Sequence, residues 1–134
     1  MNPKLLYDYA TSFLGKPYIW GGDNPVEGFD CSGFCLELLR SQGAWGKADD
    51  TAQGIYNRFK DKPVKSLGVG ALAFYGKTRI THVAMLLDGE HIIEAGGGGS
   101  RTQTADDAAA QDAFIRIRPL NHRSDLVAVL WPWV

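Results

Sequence analysis

The sequence is poor in several things that would point to particular functions. Among 134 residues there are two cysteines, Cys31 and Cys35, and 14 basic side chains stand against 15 acidic ones for a formal net charge of −1. That balance supplies no global field for phosphate backbones or anionic lipid, and no local basic patch replaces it, so nucleic-acid binding is not expected. The longest uninterrupted apolar run, Leu126–Trp131, is far short of the roughly 20 residues that span a bilayer. Membrane insertion is therefore not expected either. The first ten residues lack a basic segment followed by a sustained apolar one, so no secretion signal is read there and the chain is expected to be cytoplasmic at synthesis. Two cysteines four apart on one helix face meet poorly for a disulfide and read as free thiols. A hydrophobic share of 45% with 22% charged residues is that of a folding chain, and the length suits one domain, 1–134.

What is present is order along the chain. Residues 3–14 place Leu5, Leu6, Tyr9 and Phe13 at helical spacing behind Pro3 and before Gly15. The stretch 15–29 is too rich in Gly and Pro for regular structure over most of its length, and long loops in small domains are usually functional. Cys31, Phe34, Cys35, Leu38 and Leu39 form the stripe of a second helix with Asp30 as its N-cap. Ala52–Phe59 forms a third behind Asp50 or Thr51. After residue 68 the texture changes to short β runs, 71–75, 81–87, 91–95, 114–118 and 126–130, with 104–111 an exposed loop or short helix between them. Helices followed by strands predict an α+β fold, N-terminal helices packed on an antiparallel sheet of about five strands.

The first turn of a helix is the place for a nucleophile, because unpaired N–H groups and the positive end of the dipole stabilise negative charge there. Cys31 occupies it, and Cys35 reads as a core residue. A nucleophilic thiol needs a base, normally His, and a third group that orients the imidazole. Of His82, His91 and His122, His82 begins a strand after the turn-like segment 76–79. If the next loop is Asp88-Gly89-Glu90, His82, Ala84 and Leu86 share a sheet face with Ile92 and Glu94, and Glu94 lies diagonally near His82. If the loop is Asp88-Gly89 alone, the face reverses. Under either register His91 is too far along the strand to orient His82. A metal site from His91 and Glu94, or from the cysteine pair, is disfavoured: i and i+3 on a strand face oppositely, and two cysteines lack the further ligands structural zinc needs. No cofactor is expected.

Pro17-Tyr18-Ile19-Trp20-Gly21-Gly22, then Gly28-Phe29-Asp30-Cys31-Ser32-Gly33, then His82-Val83-Ala84, resemble the NlpC/P60 family of papain-like cysteine peptidases that cut peptidoglycan stem peptides. The resemblance runs from about Tyr9 to about Ala95, and the last forty residues are expected to add little beyond completing the sheet. It implies a papain-like fold with Cys31 as nucleophile, His82 as base and then acid, and Glu94 as orienter, a less usual occupant of that position. It also implies that Tyr18 helps hold the oxyanion, that Asp30 and Ser32 contact the free amine of a short stem peptide, and that Trp20 packs the loop. The family's acid before the first strand is Ala71 here.

The function so implied is hydrolysis of a stem-peptide amide, γ-D-glutamyl to diamino acid. Amidase or acyltransferase action on the same fold, or a non-catalytic phage tail assembly module, are the alternatives. Peptidoglycan or muropeptide is the expected partner. With no export signal read, three explanations stand open: a phage tail or lysis component delivered from outside as a virion-associated protein, which is favoured, a cytoplasmic enzyme acting on recycled muropeptides, or a mature fragment of a longer precursor.

Overall fold

A computed structural model describes residues 1–134. Its elements follow one another as α1 (Pro3–Thr11), β1 (Asp23–Asn24), β2 (Gly28–Phe29), α2 (Cys31–Ser41), α3 (Ala52–Phe59), β3 (Leu72–Tyr75), β4 (His82–Leu86), β5 (His91–Gly96), α4 (Ala105–Gln111), β6 (Phe114–Pro119) and β7 (Leu126–Leu130). Helices do come first and an antiparallel sheet afterwards, in the spatial order β6-β5-β4-β3-β7. No helix is long and apolar enough to cross a membrane.

Each helix start is set by a side chain that takes an orphan backbone N–H. Asn2 accepts from Leu5, Asp30 from Gly33, Thr51 from Gly54, and Thr104 closes a capping box with Asp107. The sequence pattern carried α1 to residue 14, but the helix ends at Thr11. Thr11 and Ser12 turn their hydroxyls back onto backbone carbonyls, and Gly15 lies at φ +86°. The Gly- and Pro-rich loop is irregular for most of its length, broken by the two-residue hairpin of β1 and β2.

The sheet is covered on both faces. Val83, Met85, Ile93, Ala95 and Ile115 join the helices in the main core, while Ala71, Ala73, Tyr75, Ala84, Leu86 and Ile92 form a smaller cluster on the other face. Ala71 is therefore a buried core position, where an acid would need a partner. Phe13, Phe29 and Phe34 pack edge-on or tilted with centroids 5.4 to 5.9 Å apart, tying the turn after α1 to β2 and α2. Such pairs are worth about 0.5–1.5 kcal/mol each beyond the area they bury, and they fix the start of α2. Gly33 completes that fixation: a Cβ there would run into the carbonyl of Gly22, so the loop can lie directly on the first turn of the helix.

Candidate active site

Cys31 opens α2, half-buried, as the first residue behind the Asp30 cap. His82 opens β4. Its partner across β3 is Tyr75, whose ring lies 5.6 Å from the imidazole. On the other side, Leu86 pairs with Ile92 and the Leu87 N–H donates to the His91 carbonyl at 2.9 Å, so the connecting loop is Asp88-Gly89-Glu90. That is the register that sets Glu94 diagonally across from His82 on the same face. The two side chains meet: His82 Nε2 lies 2.8 Å from Glu94 Oε1, with the residues only 7% and 4% exposed.

A carboxylate can only accept, so Nε2 carries the proton of this bond and Nδ1 is the nitrogen left for the thiol. Burial opposes charge on the imidazole. The proximity of Cys31, together with the hydrogen bond and charge of Glu94, outweighs it and raises His82 to about 9. Burial likewise works against an ionised Glu94, but the bond from His82 and the positive charges of His82, His122 and Arg118 hold the carboxyl below its usual range. The arrangement is a buried imidazole hydrogen-bonded to a carboxylate, in the cavity that the Cys31 sulfur also lines, the ordering of groups that a nucleophilic cysteine needs.

Cys31, His82, Glu94 and Tyr18 line one cavity of about 390 Å³, walled also by Gly96–Gly99 and by Arg118, His122 and Arg123. Tyr18 is buried. Burial and the charges of Cys31 and Asp30 push its hydroxyl well up, so it stays an O–H donor. Asp30 and Ser32 sit apart from this lining: the Asp30 carboxylate accepts from the Gly33 N–H at 2.7 Å and from the Ser32 hydroxyl at 3.2 Å. Burial, more than any charge, raises Asp30. Trp20 departs from the sequence reading. It is 54% exposed on the rim of the cavity, so it does not pack the loop and offers an open aromatic face to whatever enters.

The last forty residues do more than complete the sheet. β6 pairs with β5 so that Glu94 faces Arg116 and Ile92 faces Arg118, placing both arginines on the face of Glu94. Arg118 Nε lies 3.6 Å from Glu94 Oε2, and His122 Nε2 lies 3.6 Å from Glu94 Oε1. The Arg-x-Arg alternation inside an otherwise apolar strand was the available signal. It points to this site only once β6 is known to lie beside β5.

Two outcomes follow from the geometry. A Cβ on Gly96 would come within 2.5 Å of Glu94 Oε2, the movable end of a side chain. Gly96→Ala is expected to fold with little loss of stability but to displace the carboxylate, lowering turnover by about 10- to 100-fold. Thermal unfolding and kinetics on the same preparation check this. Cys35 is fully buried, and burial together with the charges of Cys31, Glu94 and Asp30 drives its thiol well up. Iodoacetamide should therefore label Cys31 in the folded protein and Cys35 only after denaturation, as read by peptide mass mapping.

The sequence pattern of the NlpC/P60 family matches residues 15–119, which contain Cys31, His82 and Glu94. The chain is a member of the NlpC/P60 family. Similar curated proteins include the peptidoglycan endopeptidase RipA of Mycolicibacterium smegmatis, 32% identical over 108 residues covering 72% of this chain and 21% of RipA. A γ-D-glutamyl-L-lysine dipeptidyl-peptidase of Bacillus cereus is 37% identical over 94 residues, covering 67% of this chain and 27% of its own. This NlpC/P60 chain thus spans well under a third of the curated relatives it matches. An NLP/P60 family protein from Staphylococcus aureus superposes with TM-score 0.73 at 24% identity, over 96% of this chain and 40% of the other. The NlpC/p60 domain of the peptidoglycan hydrolase SagA does so with TM-score 0.69 at 21% identity, over 97% and 98%. At those identities the likeness is one of fold.

Proposed function

We propose that this NlpC/P60 chain is a cysteine peptidase that hydrolyses an amide of the peptidoglycan stem peptide, the bond from γ-D-glutamate to the diamino acid. The observation that carries the proposal is the buried His82–Glu94 hydrogen bond of 2.8 Å, set in the cavity that Cys31 lines from the first turn of α2. The names of two curated relatives, a peptidoglycan endopeptidase and a γ-D-glutamyl-L-lysine dipeptidyl-peptidase, support a γ-D-glutamyl bond of the stem peptide as substrate.

In this mechanism the Cys31 thiol passes its proton to His82 Nδ1 and the thiolate attacks the γ-carbonyl, while the Tyr18 hydroxyl donates to the oxygen as it gains charge. His82 gives its Nδ1 proton to the leaving amine and the C–N bond breaks, leaving a thioester on Cys31. Water, deprotonated by the same nitrogen, attacks the thioester, and the thiol is restored. Glu94 holds the ring and its charge through both steps. Asp30 and Ser32, beside the nucleophile, receive the free amino group of a trimmed stem peptide.

The test is digestion of defined muropeptides with and without that free amine. The expected result is γ-D-glutamyl cleavage selective for the free-amine form. Cleavage of both forms at equal rates would remove the role given to Asp30 and Ser32, and cleavage of neither would remove the peptidase reading.

A further inference from the structure

Three arginines lie on or beside the β6 wall of the cavity, and their neighbours treat them differently. Arg116 is taken by Asp112, through both its carboxylate and its carbonyl. Arg123 is forked onto Asp125 at 2.9 and 2.8 Å and lies over the Tyr75 ring. Arg118 has no such partner. Arg118 and Arg116 both bury Nε without a hydrogen bond, but no carboxylate forks the Arg118 guanidinium: its one charged contact is from Nε to Glu94 at a long 3.6 Å, and its side chain is 39% exposed where it lines the cavity. Glu94, the one carboxylate in the cavity wall, is itself buried and engaged by His82. An entering anion therefore meets a guanidinium whose terminal N–H groups are not taken by a carboxylate, and no exposed acid.

We propose that Arg118 is a specificity-determining residue that receives a carboxylate of the stem peptide, so that a stem whose diamino acid carries a free side-chain carboxylate is preferred over its amidated form. The inference rests on the peptidase reading above and adds to it the class of stem. Arg118 lies 3.6 Å from Glu94, which is itself bonded to His82 at 2.8 Å, so Arg118 reaches the cavity from the orienting end of the triad and the group it receives is not the immediate neighbour of the scissile carbonyl. The side-chain carboxylate of a diaminodicarboxylic acid, several bonds away from the amine that leaves, has that reach. A guanidinium fork matches a carboxylate with two parallel N–H bonds, whereas a carboxamide turns an N–H₂ toward donors. A site built to bond one of two isosteres rejects the other more strongly than an apolar site could.

The experiment compares two muropeptides identical except that the side-chain carboxylate of the diamino acid is free in one and a carboxamide in the other. The wild-type chain is expected to favour the free form by about tenfold or more in kcat/KM, as for a charge-assisted bidentate bond. In Arg118→Gln the ratio should fall to near one, and Arg118→Lys, which keeps charge but not the fork, should retain part of it. A role limited to supporting Glu94 would lower both rates by one factor and leave the ratio intact, which would overturn the proposal. Calorimetric binding of both peptides to Cys31→Ala reads the same preference without turnover. Cleavage absent but binding preference present would sink the peptidase reading and keep Arg118; cleavage present with no preference would do the reverse. No preference in either measurement overturns the assignment of Arg118.

Discussion

Cys31→Ala is expected to lower turnover of muropeptide by on the order of 10⁴-fold or more, as removal of a covalent nucleophile does, while the variant keeps its fold and binds substrate. The thiol stands half-buried at the head of α2, whose position is fixed by the Phe13–Phe29–Phe34 cluster and the close approach of Gly22 to Gly33, neither of which involves the sulfur. Cys35 cannot substitute for it, being fully buried one turn further on with its thiol held protonated by burial. Loss of fragment release from purified sacculi, with an unchanged unfolding midpoint, is the result that fits. Undiminished release by the variant would place the chemistry elsewhere.

Glu94→Ala is expected to reduce kcat/KM by roughly 10³- to 10⁴-fold, in the range seen when the orienting member of a triad is lost. It also removes the anion from between His82, His122 and Arg118. Breaking a buried ion pair costs about 3–5 kcal/mol, and the lower end applies because the imidazole can shed its proton. Glu94→Gln separates the two effects, since it retains an acceptor for His82 Nε2 but not the charge. With His82 raised to about 9, the acid limb needed for amine departure persists to that pH in the wild type, and activity should fall only above it. In Glu94→Gln that descending limb should move to lower pH. The sign for stability is the same. A pKa raised in the folded state contributes stability that is full below the unfolded value near 6.5 and is lost as pH rises through about 9. The pH dependence of kcat/KM and of the unfolding midpoint in both proteins checks this. An unmoved limb in the glutamine variant would show that Glu94 does not set the charge of His82.

How much of this was legible in the chain depends on the range of the interactions concerned. The start of α2 was readable because a cap, Asp30, and an apolar stripe are local signals. Glu94 could be reached because an Asp-Gly-Glu loop constrains the register of its two flanking strands, although the alternative two-residue loop would have turned Glu94 away. Arg118 and His122 could not be reached in that way. Their proximity to Glu94 depends on β6 returning beside β5 across α4, a pairing that spans the whole of the intervening helix and loops and that no local pattern encodes. Trp20 was misjudged for a related reason. An aromatic beside two glycines reads as loop packing, and only the placement of the loop above the cavity leaves its ring open. The short hairpin of β1 and β2 was hidden by Asp23, Asn24, Pro25 and Gly28, residue types with low strand propensity that read as turn or loop.

The claim on which the account turns is that Cys31 transfers the γ-glutamyl group to water. Mass spectrometry of a defined stem muropeptide digested in ¹⁸O-labelled water tests it directly. The expected result is a γ-D-glutamyl product carrying one ¹⁸O in its new carboxylate, formed by the wild-type chain and absent with Cys31→Ala. An unlabelled product joined to a second nucleophile, or labelled product formed equally by the variant, would contradict it.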